Sequence, residues 1–224
     1  MGALPGMLDI AKLPTSIPIF PLSGVLLLPH GRLPLNIFEP RYLAMTIDAI
    51  ATPERLIGMI QPTEAEKAGA PPAVYPVGCA GRIVTFNETG DGRYEIVLAG
   101  IARFNIAAEL AMSARGYRVI APDFAPWLDD LKAPPDGADL PERKHLLALL
   151  KDYFSLNKIG VDWKVVQATP DARLITTLAM SCPFSPSEKQ ALLEARDLAT
   201  RARVMTALVE MATAAQGAPA GAKH

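Results

Sequence analysis

Ile17–Tyr42, IPIFPLSGVLLLPHGRLPLNIFEPRY, is the stretch around which the rest of the chain is organised. Two apolar runs, Ile17–Leu22 and Val25–Leu28, flank a Ser23-Gly24 break, and a third, Leu33–Phe38, follows the turn signal Pro29-His30-Gly31. Runs this short, bounded by Gly and Pro and carrying β-branched and aromatic residues, predict three strands rather than helices. Pro18, Pro21 and Pro34 lie within or beside them. Proline donates nothing to a ladder, so these strands belong at edges, at bulges or on a barrel rim. Glu39-Pro40-Arg41-Tyr42 then opens a helix, with Pro40 at the first position, where a missing N–H costs nothing. Leu43, Ile47 and Ile50 recur at helical spacing and are expected to form the face that covers the sheet.

Leu56–Gln61 reads as a strand closed by Pro62, and Thr63–Pro72 as a polar loop. The clearest hairpin follows. Val77–Phe86 is strand-like, Asn87–Gly92 (NETGDG) is a turn cluster, and Arg93–Ala99 alternates with Tyr94, Ile96 and Leu98 on one face. Gly78, Gly81 and Gly100 inside these strand patterns predict bulges or corners, as closing a barrel requires. Ile101–Ile106 continues the second strand, and Tyr117–Ile120 is one more.

Composition shifts at Pro122–Pro141, where Pro and Asp accumulate as in a linker. Beyond it every periodic segment is helical. Asp139 with Glu142, and Ser185-Pro186-Ser187-Glu188, are capping-box patterns. Thr169-Pro170 precedes a helix with Leu174, Leu178 and Ala179 inward, and Asp197 precedes one with Leu198, Val204, Leu208 and Met211 inward.

Three passages together resemble the N-terminal, substrate-binding domain of Lon proteases. They are PIFPL with LPLNIFEPRY near the start, YPVGCAGRI with GRYEIVLAGIARFNI in the middle, and CPFSPSEKQALLEARDLATRARVMTALVEM near the end. The resemblance covers roughly residues 15–213. It implies an α+β fold, a twisted β-sheet or pseudo-barrel with one covering helix followed by an α-helical bundle. The expected organisation is a flexible arm over 1–14, a barrel domain over 15–121, a Pro/Asp-rich linker over 122–140, a helical bundle over 141–213 and a disordered tail over 214–224.

Composition narrows the function. The chain has 224 residues, half of them apolar and 20% charged, enough to bury a sizeable core. A net charge of −1 with both signs spread along the chain gives no electrostatic footprint for nucleic acid or an anionic membrane. No apolar run approaches a membrane span and no signal peptide is evident, so a cytoplasmic protein is expected. Cys79 and Cys182 are far apart and read as reduced core residues. His30, His145 and His224 are scattered without zinc spacing, so no metal is expected. His30 reads as a solvated loop residue.

No GxxxxGK[ST] is present to cradle a nucleotide, and no segment is long enough for a Ser-Lys protease module. The resembling enzymes carry both modules downstream, and neither is expected within these residues. Ser155-Leu156-Asn157-Lys158 fits S-x-x-K, but its companion motifs are absent. Glu39 and Arg41 read as an internal pair at a strand-to-helix corner. The expectation is therefore no catalytic residue, no cofactor and no enzyme activity.

The resemblance implies recognition of unfolded or exposed polypeptide segments, as an adaptor or recognition factor in protein quality control, with a protease as a further partner. Short open strand edges suit that task, because an extended peptide adds main-chain hydrogen bonds there. A cleft between barrel and bundle would also suit it. Arg82 and Arg103, expected to snorkel from the sheet edge, and Trp127 and Trp163, aromatic side chains of the kind that anchor interfaces, are the candidate contacts. Two alternatives compete with this reading: a scaffold that binds one folded partner or itself, and a small-molecule site in the inter-domain cleft.

Overall fold

The computed structural model describes residues 13–63, 71–133, 140 and 142–217, with side chains described through 214. The arm over 1–12, the centre of the 63–72 loop, Asp139 and the tail from 218 lie outside the described residues. The chain divides into two compact units, residues 1–134 with 183–193, and residues 135–182 with 194–224.

The first unit is built on one six-stranded sheet. Its strands are β1 (Ile17–Pro21), β2 (Arg32–Ile37), β3 (Leu56–Ile60), β4 (Val77–Glu88), β5 (Tyr94–Glu109) and β6 (Arg118–Asp123). The order is β2-β5-β4-β3-β1-β6, and β6 also pairs with β5, so β5, β4, β3, β1 and β6 close into a ring. Asn105 marks the closure, facing Val77 of β4 on one side and Asp123 of β6 on the other. All pairs are antiparallel except β1 with β3, which the helix α1 (Pro40–Ala51) makes possible by carrying the chain back across the sheet. Every residue of β3 is buried, the expected state of a strand with a barrel interior on one face and a helix on the other.

Ile17, Ile19, Leu56, Ile60, Ala80, Ala102, Phe104, Ile120 and Phe124 fill the ring. Phe104 is fully buried, and a Cβ at Gly78 would lie 2.5 Å from its Cζ and 2.7 Å from the Met59 carbonyl oxygen. Gly78 therefore makes room for a ring and does not mark a bulge. The register shift in this part of the sheet falls between Ala80 and Gly81, opposite Gly100.

Val25–Leu28 differs from the strand expected of it. Leu26, Leu27 and Leu28 are buried, yet the segment belongs to no ladder. Gly24 and His30 bracket it at positive φ, 72° and 64°, so the chain turns in and out of the sheet's shelter within a few residues. Inside, Gly100 receives it closely: a Cβ there would sit 2.0 Å from the Leu28 carbonyl oxygen. His30 N–H donates to the Gly100 carbonyl, and Gly100 N–H donates to the Gly31 carbonyl. The apolar run is a plug packed on the sheet.

The covering helix α1 also presents a different face. Tyr42, Met45, Thr46 and Ala49 are buried, whereas Ile47 is exposed. Thr46 can be buried cheaply because its hydroxyl donates to the Tyr42 carbonyl at 2.8 Å, and the Tyr42 ring packs on Phe20.

Residues read as a linker are structured where described. Arg118–Asp123 completes the barrel, and Ala125–Leu131 forms a short 3-10 helix packed on β5. The arm expected to be loose is anchored at its described end, with Leu13 packed against the barrel core. Helix α5 (Pro186–Glu194), whose capping box forms as expected with Ser185 N–H donating to Glu188 at 2.7 Å, has its residues up to 193 in this unit and not with the other late helices.

The second unit contains α2 (Arg143–Leu156), α3 (Trp163–Ala168), α4 (Asp171–Ser181) and α6 (Leu198–Gly217). Leu146, Leu150, Leu174, Ile175, Leu178, Met205 and Val209 form its interior. Met211, expected inward, is exposed, because the buried stripe of α6 follows Ala202, Met205 and Val209. Arg143 pairs with buried Asp171 and donates to the Gln167 and Thr169 carbonyls, joining the end of α3 to the start of α4. Asp197 caps α6, accepting from Thr200 N–H at 2.7 Å.

Candidate functional site

The four residues singled out from the sequence fall in three places. Arg103 and Trp127 come together in the first unit, with the guanidinium carbon 4.0 Å from the Trp127 ring centroid. Arg103 does not snorkel: it is only 3% exposed. Asp130 accepts from its Nε and Nη2 at 2.8 Å each and from its backbone N–H at 2.9 Å, and the Leu193 carbonyl of α5 accepts from Nη1 at 3.0 Å. The planar fork explains the burial, since its donors meet a bidentate carboxylate and a carbonyl in fixed geometry. Trp127 is half-buried and donates to Asn105 Oδ1 at 3.0 Å, at the strand where the ring closes. These two residues hold the barrel wall.

Three more buried polar contacts bind α5 to the same unit. Gln61 donates to the Pro186 carbonyl, Lys189 to the Gly24 carbonyl and Gln190 to the Val77 carbonyl, at 2.8, 2.8 and 3.1 Å. Arg82, on β4, is half-buried and donates to the Glu54 carbonyl at 3.0 Å. Trp163 belongs to the second unit, with its ring 6.0 Å from Phe154 and the Lys151 ammonium 5.6 Å from its centroid.

The part of the first unit best suited to bind another molecule was not singled out in the sequence. Beyond the ring, the outer parts of β4 and β5 continue with β2 as a three-stranded flap. Register places Leu33, Leu98 and Ile83 in one row, Leu35, Ile96 and Phe86 in the next, and Ile37 and Tyr94 in a third. All of these share a face. Near the ring this face is covered, with Leu27 against Leu98 and Gly81, and Ile83, Ile96 and Leu98 are buried. Toward the hairpin tip the cover runs out. Phe86 is 40% exposed, and Phe38, just past β2, is 61% exposed.

The result is an aromatic rim of two rings, Phe86 and Tyr94, 5.0 Å apart. Phe38 and Arg93, one residue away from Ile37 and Tyr94, alternate to the other face, where the Arg93 guanidinium lies 5.8 Å from the Phe38 centroid. Glu39 and Arg41 pair at 2.9 Å beside it, as the sequence suggested. Exposed aromatic surface of this kind can pack the aliphatic and aromatic side chains of another molecule. It has no nucleophile or acid–base pair. A sequence signal existed: aromatic residues at Phe86 and Tyr94 flank the turn cluster at alternating positions, where a hairpin must carry them past its neighbours.

Among the described residues, the other titratable groups that the sequence drew attention to lie apart. His30 keeps an exposed edge, and desolvation of the rest of its ring lowers its pKa against the pull of the Asp130 charge. His145 is exposed and bonds Glu210 at 3.1 Å. Lys158 lies past the end of α2 at positive φ, so its amine does not share a helical face with Ser155. Among the described residues no group of His, Cys, Asp and Glu could hold a metal ion, and no helix is long and apolar enough to cross a membrane.

Comparison with known proteins places this architecture. Residues 16–210 match the family model for the ATP-dependent protease La (LON) substrate-binding domain. Lon protease 2 of Sorangium cellulosum is 28% identical over 206 residues, covering 87% of this chain and 24% of that protein. Lon protease 2 of Myxococcus xanthus is 27% identical over 210 residues, covering 92% and 25%. The chain thus spans about a quarter of the length of the curated relatives it matches. Among solved structures, a Lon N-terminal domain protein from Xanthomonas campestris superposes with a TM-score of 0.57 at 25% identity, covering 87% of this chain and 98% of that one. The N-terminal domain of the Mycobacterium avium complex Lon protease, at 18% identity and a TM-score of 0.55, shares the fold.

Proposed function

Because this chain belongs to the LON substrate-binding domain family, we propose that it recognises unfolded or exposed polypeptide segments without catalysing a reaction on them. The observation that carries the reading is the aromatic rim of Phe86 and Tyr94, held out at the tip of the flap, with Phe38 exposed close by in the chain at the end of β2. Large apolar side chains left in water on a well-packed domain mark interaction surfaces. Buried segments of other proteins supply matching side chains only when those proteins unfold, which gives selectivity for the unfolded state.

In this reading the segment lies across the rim, and its apolar side chains pack on Phe86 and Tyr94. Of the residues singled out from the sequence, Arg82 shares β4 with Phe86 and stays a candidate contact; Arg103 and Trp127 are assigned to holding the wall. Trp163, half-buried in the second unit, remains a candidate of its own. The adaptor role in protein quality control follows as the biological setting, with a protease receiving what the chain captures.

The test is a fluorescence-anisotropy titration with a labelled, permanently unfolded polypeptide and its folded parent. Binding of the unfolded chain alone is expected, weakened about tenfold or more by Phe86→Ser. Equal binding of the folded parent, or no effect of the substitution, would sink the reading.

A further inference from the structure

We infer that the outer edge of β4 over Val84–Glu88 takes an extended polypeptide segment as an added strand; the inference rests on the recognition reading above and names how the segment is held. The ring leaves few edges. β3 pairs with β4 only as far as Arg82, and the last bond on that side is Ile83 N–H to the Arg55 carbonyl. The register shift between Ile83 and Thr85 marks where β4 leaves its neighbour. From Val84 to Glu88 the strand pairs with β5 alone, and every residue is exposed.

Direction follows from the hairpin. Thr89 N–H donates to the Arg93 carbonyl, closing the turn. Main-chain groups of an antiparallel strand alternate sides, so Asn87 and Thr85 bond β5, while the N–H and C=O of Phe86 and Glu88 point outward. Among the described residues no turn, loop or side-chain hydrogen bond reaches those groups. The edge is therefore a row of exposed donors and acceptors beside an exposed aromatic side chain.

The flap's other edge, β2, is a poor competitor. Its pairing alternates so that Leu33, Leu35 and Ile37 bond β5, since Pro34 has no N–H to give. The outward side of β2 thus has proline at its centre, which removes a donor and sets a ring where an incoming strand would lie. The β4 edge carries no proline. A main-chain ladder is indifferent to sequence, and the rim supplies the preference. The segment residue opposite Phe86 joins the Phe86–Ile96–Leu35 row and should be apolar, while those opposite Thr85 and Asn87 face the solvated side.

The probe is a fluorescein-labelled octapeptide alternating Thr with Phe or Val, made unmethylated, N-methylated on the Thr amides, and N-methylated on the apolar amides. Added antiparallel, the peptide turns the amides of its apolar residues toward β4; added parallel, it turns those of its Thr residues. One methylated series is expected to lose affinity by about tenfold or more while the other stays within about twofold, and which one is lost reports the orientation. Glu88→Pro, at an outward amide that the β5 ladder does not use, should weaken the unmethylated peptide with the circular dichroism spectrum unchanged. If both methylated series bind within about twofold of the parent while the unfolded polypeptide still binds, strand addition is overturned and recognition stands. If neither the octapeptide nor the unfolded polypeptide binds, the recognition reading falls and takes this inference with it.

Discussion

The closed ring and the open flap are made from the same two strands and treat their polar and apolar groups in opposite ways. Where β4 and β5 meet β3 and β6, a buried arginine is matched donor by donor, and a helix from much later in the chain supplies side chains to strand and loop carbonyls. Where β4 and β5 run out to the hairpin tip, phenylalanines stand in water and the outward main-chain groups of β4 go without partners among the described residues. The difference teaches that exposure here is local and is not a sign of a loosely packed protein. The ring can hold the exposed edge in place because the same strands are anchored elsewhere by Asp130 and α5.

The largest effect should come from breaking the closed side. Asp130→Ala leaves the Arg103 guanidinium buried without its carboxylate, and removal of one member of a buried pair costs about 3–5 kcal/mol. Chemical unfolding should show it, and Arg103→Met added to Asp130→Ala should recover much of the loss. If Asp130→Ala unfolds no more readily than the parent, the clasp does not hold the ring. Next is Gly100→Ala, whose methyl would enter the space of the Leu28 carbonyl; overpacking of this kind costs about 1–3 kcal/mol. A melting temperature unchanged by that substitution would argue against the plug.

The open side should respond in the other currency. Phe38→Ser with Phe86→Ser should leave stability within about 0.5 kcal/mol per site, as surface changes do, and reduce affinity for unfolded polypeptide. Loss of stability comparable to Asp130→Ala would mean that the rings are core. The smallest effect is electrostatic. Glu109, hydrogen-bonded by Arg118 at 2.7 Å, has its pKa lowered chiefly by that bond. A carboxyl depressed in the folded state adds stability above its unfolded pKa and loses it as the pH falls through the folded one. Its side chain is 47% exposed, so the pair is worth at most about 1 kcal/mol. Glu109→Gln should flatten the acid limb of the stability curve slightly, in a comparison of melting temperatures at pH 7 and pH 3.

Much of this architecture was legible in short stretches. LPLNIFEPRY announces a strand ending in a proline-started helix, NETGDG announces the hairpin, and Ser185 with Glu188 announces α5. These are local signals set by turn and capping chemistry. What could not be read locally depends on partners far along the chain. Val25–Leu28 has the composition of a strand, and only the approach of Gly100 makes it a plug. Arg103 looked like a surface cation because Asp130 sits in a stretch whose prolines suggested a linker. The rim was missed for a related reason, since alternation assigns Phe86 to the apolar face but does not say where β3 stops covering it.

The seating of α5 bears on the order in which the protein can fold during synthesis. The β4–β5 hairpin is local and can form as soon as it emerges, but Lys189 reaches back 165 residues to Gly24 and Gln190 reaches back 113 to Val77. Contacts this distant in sequence are slow to form. Until residue 193 has left the ribosome, the Gly24 and Val77 carbonyls and Nη1 of Arg103 await the α5 groups that bond them in the finished ring. A nascent barrel therefore waits, with its apolar strands made and its last buttress still inside the exit tunnel. For that interval the finished hairpin, with the open edge of β4, stands beside a ring whose last buttress has yet to arrive.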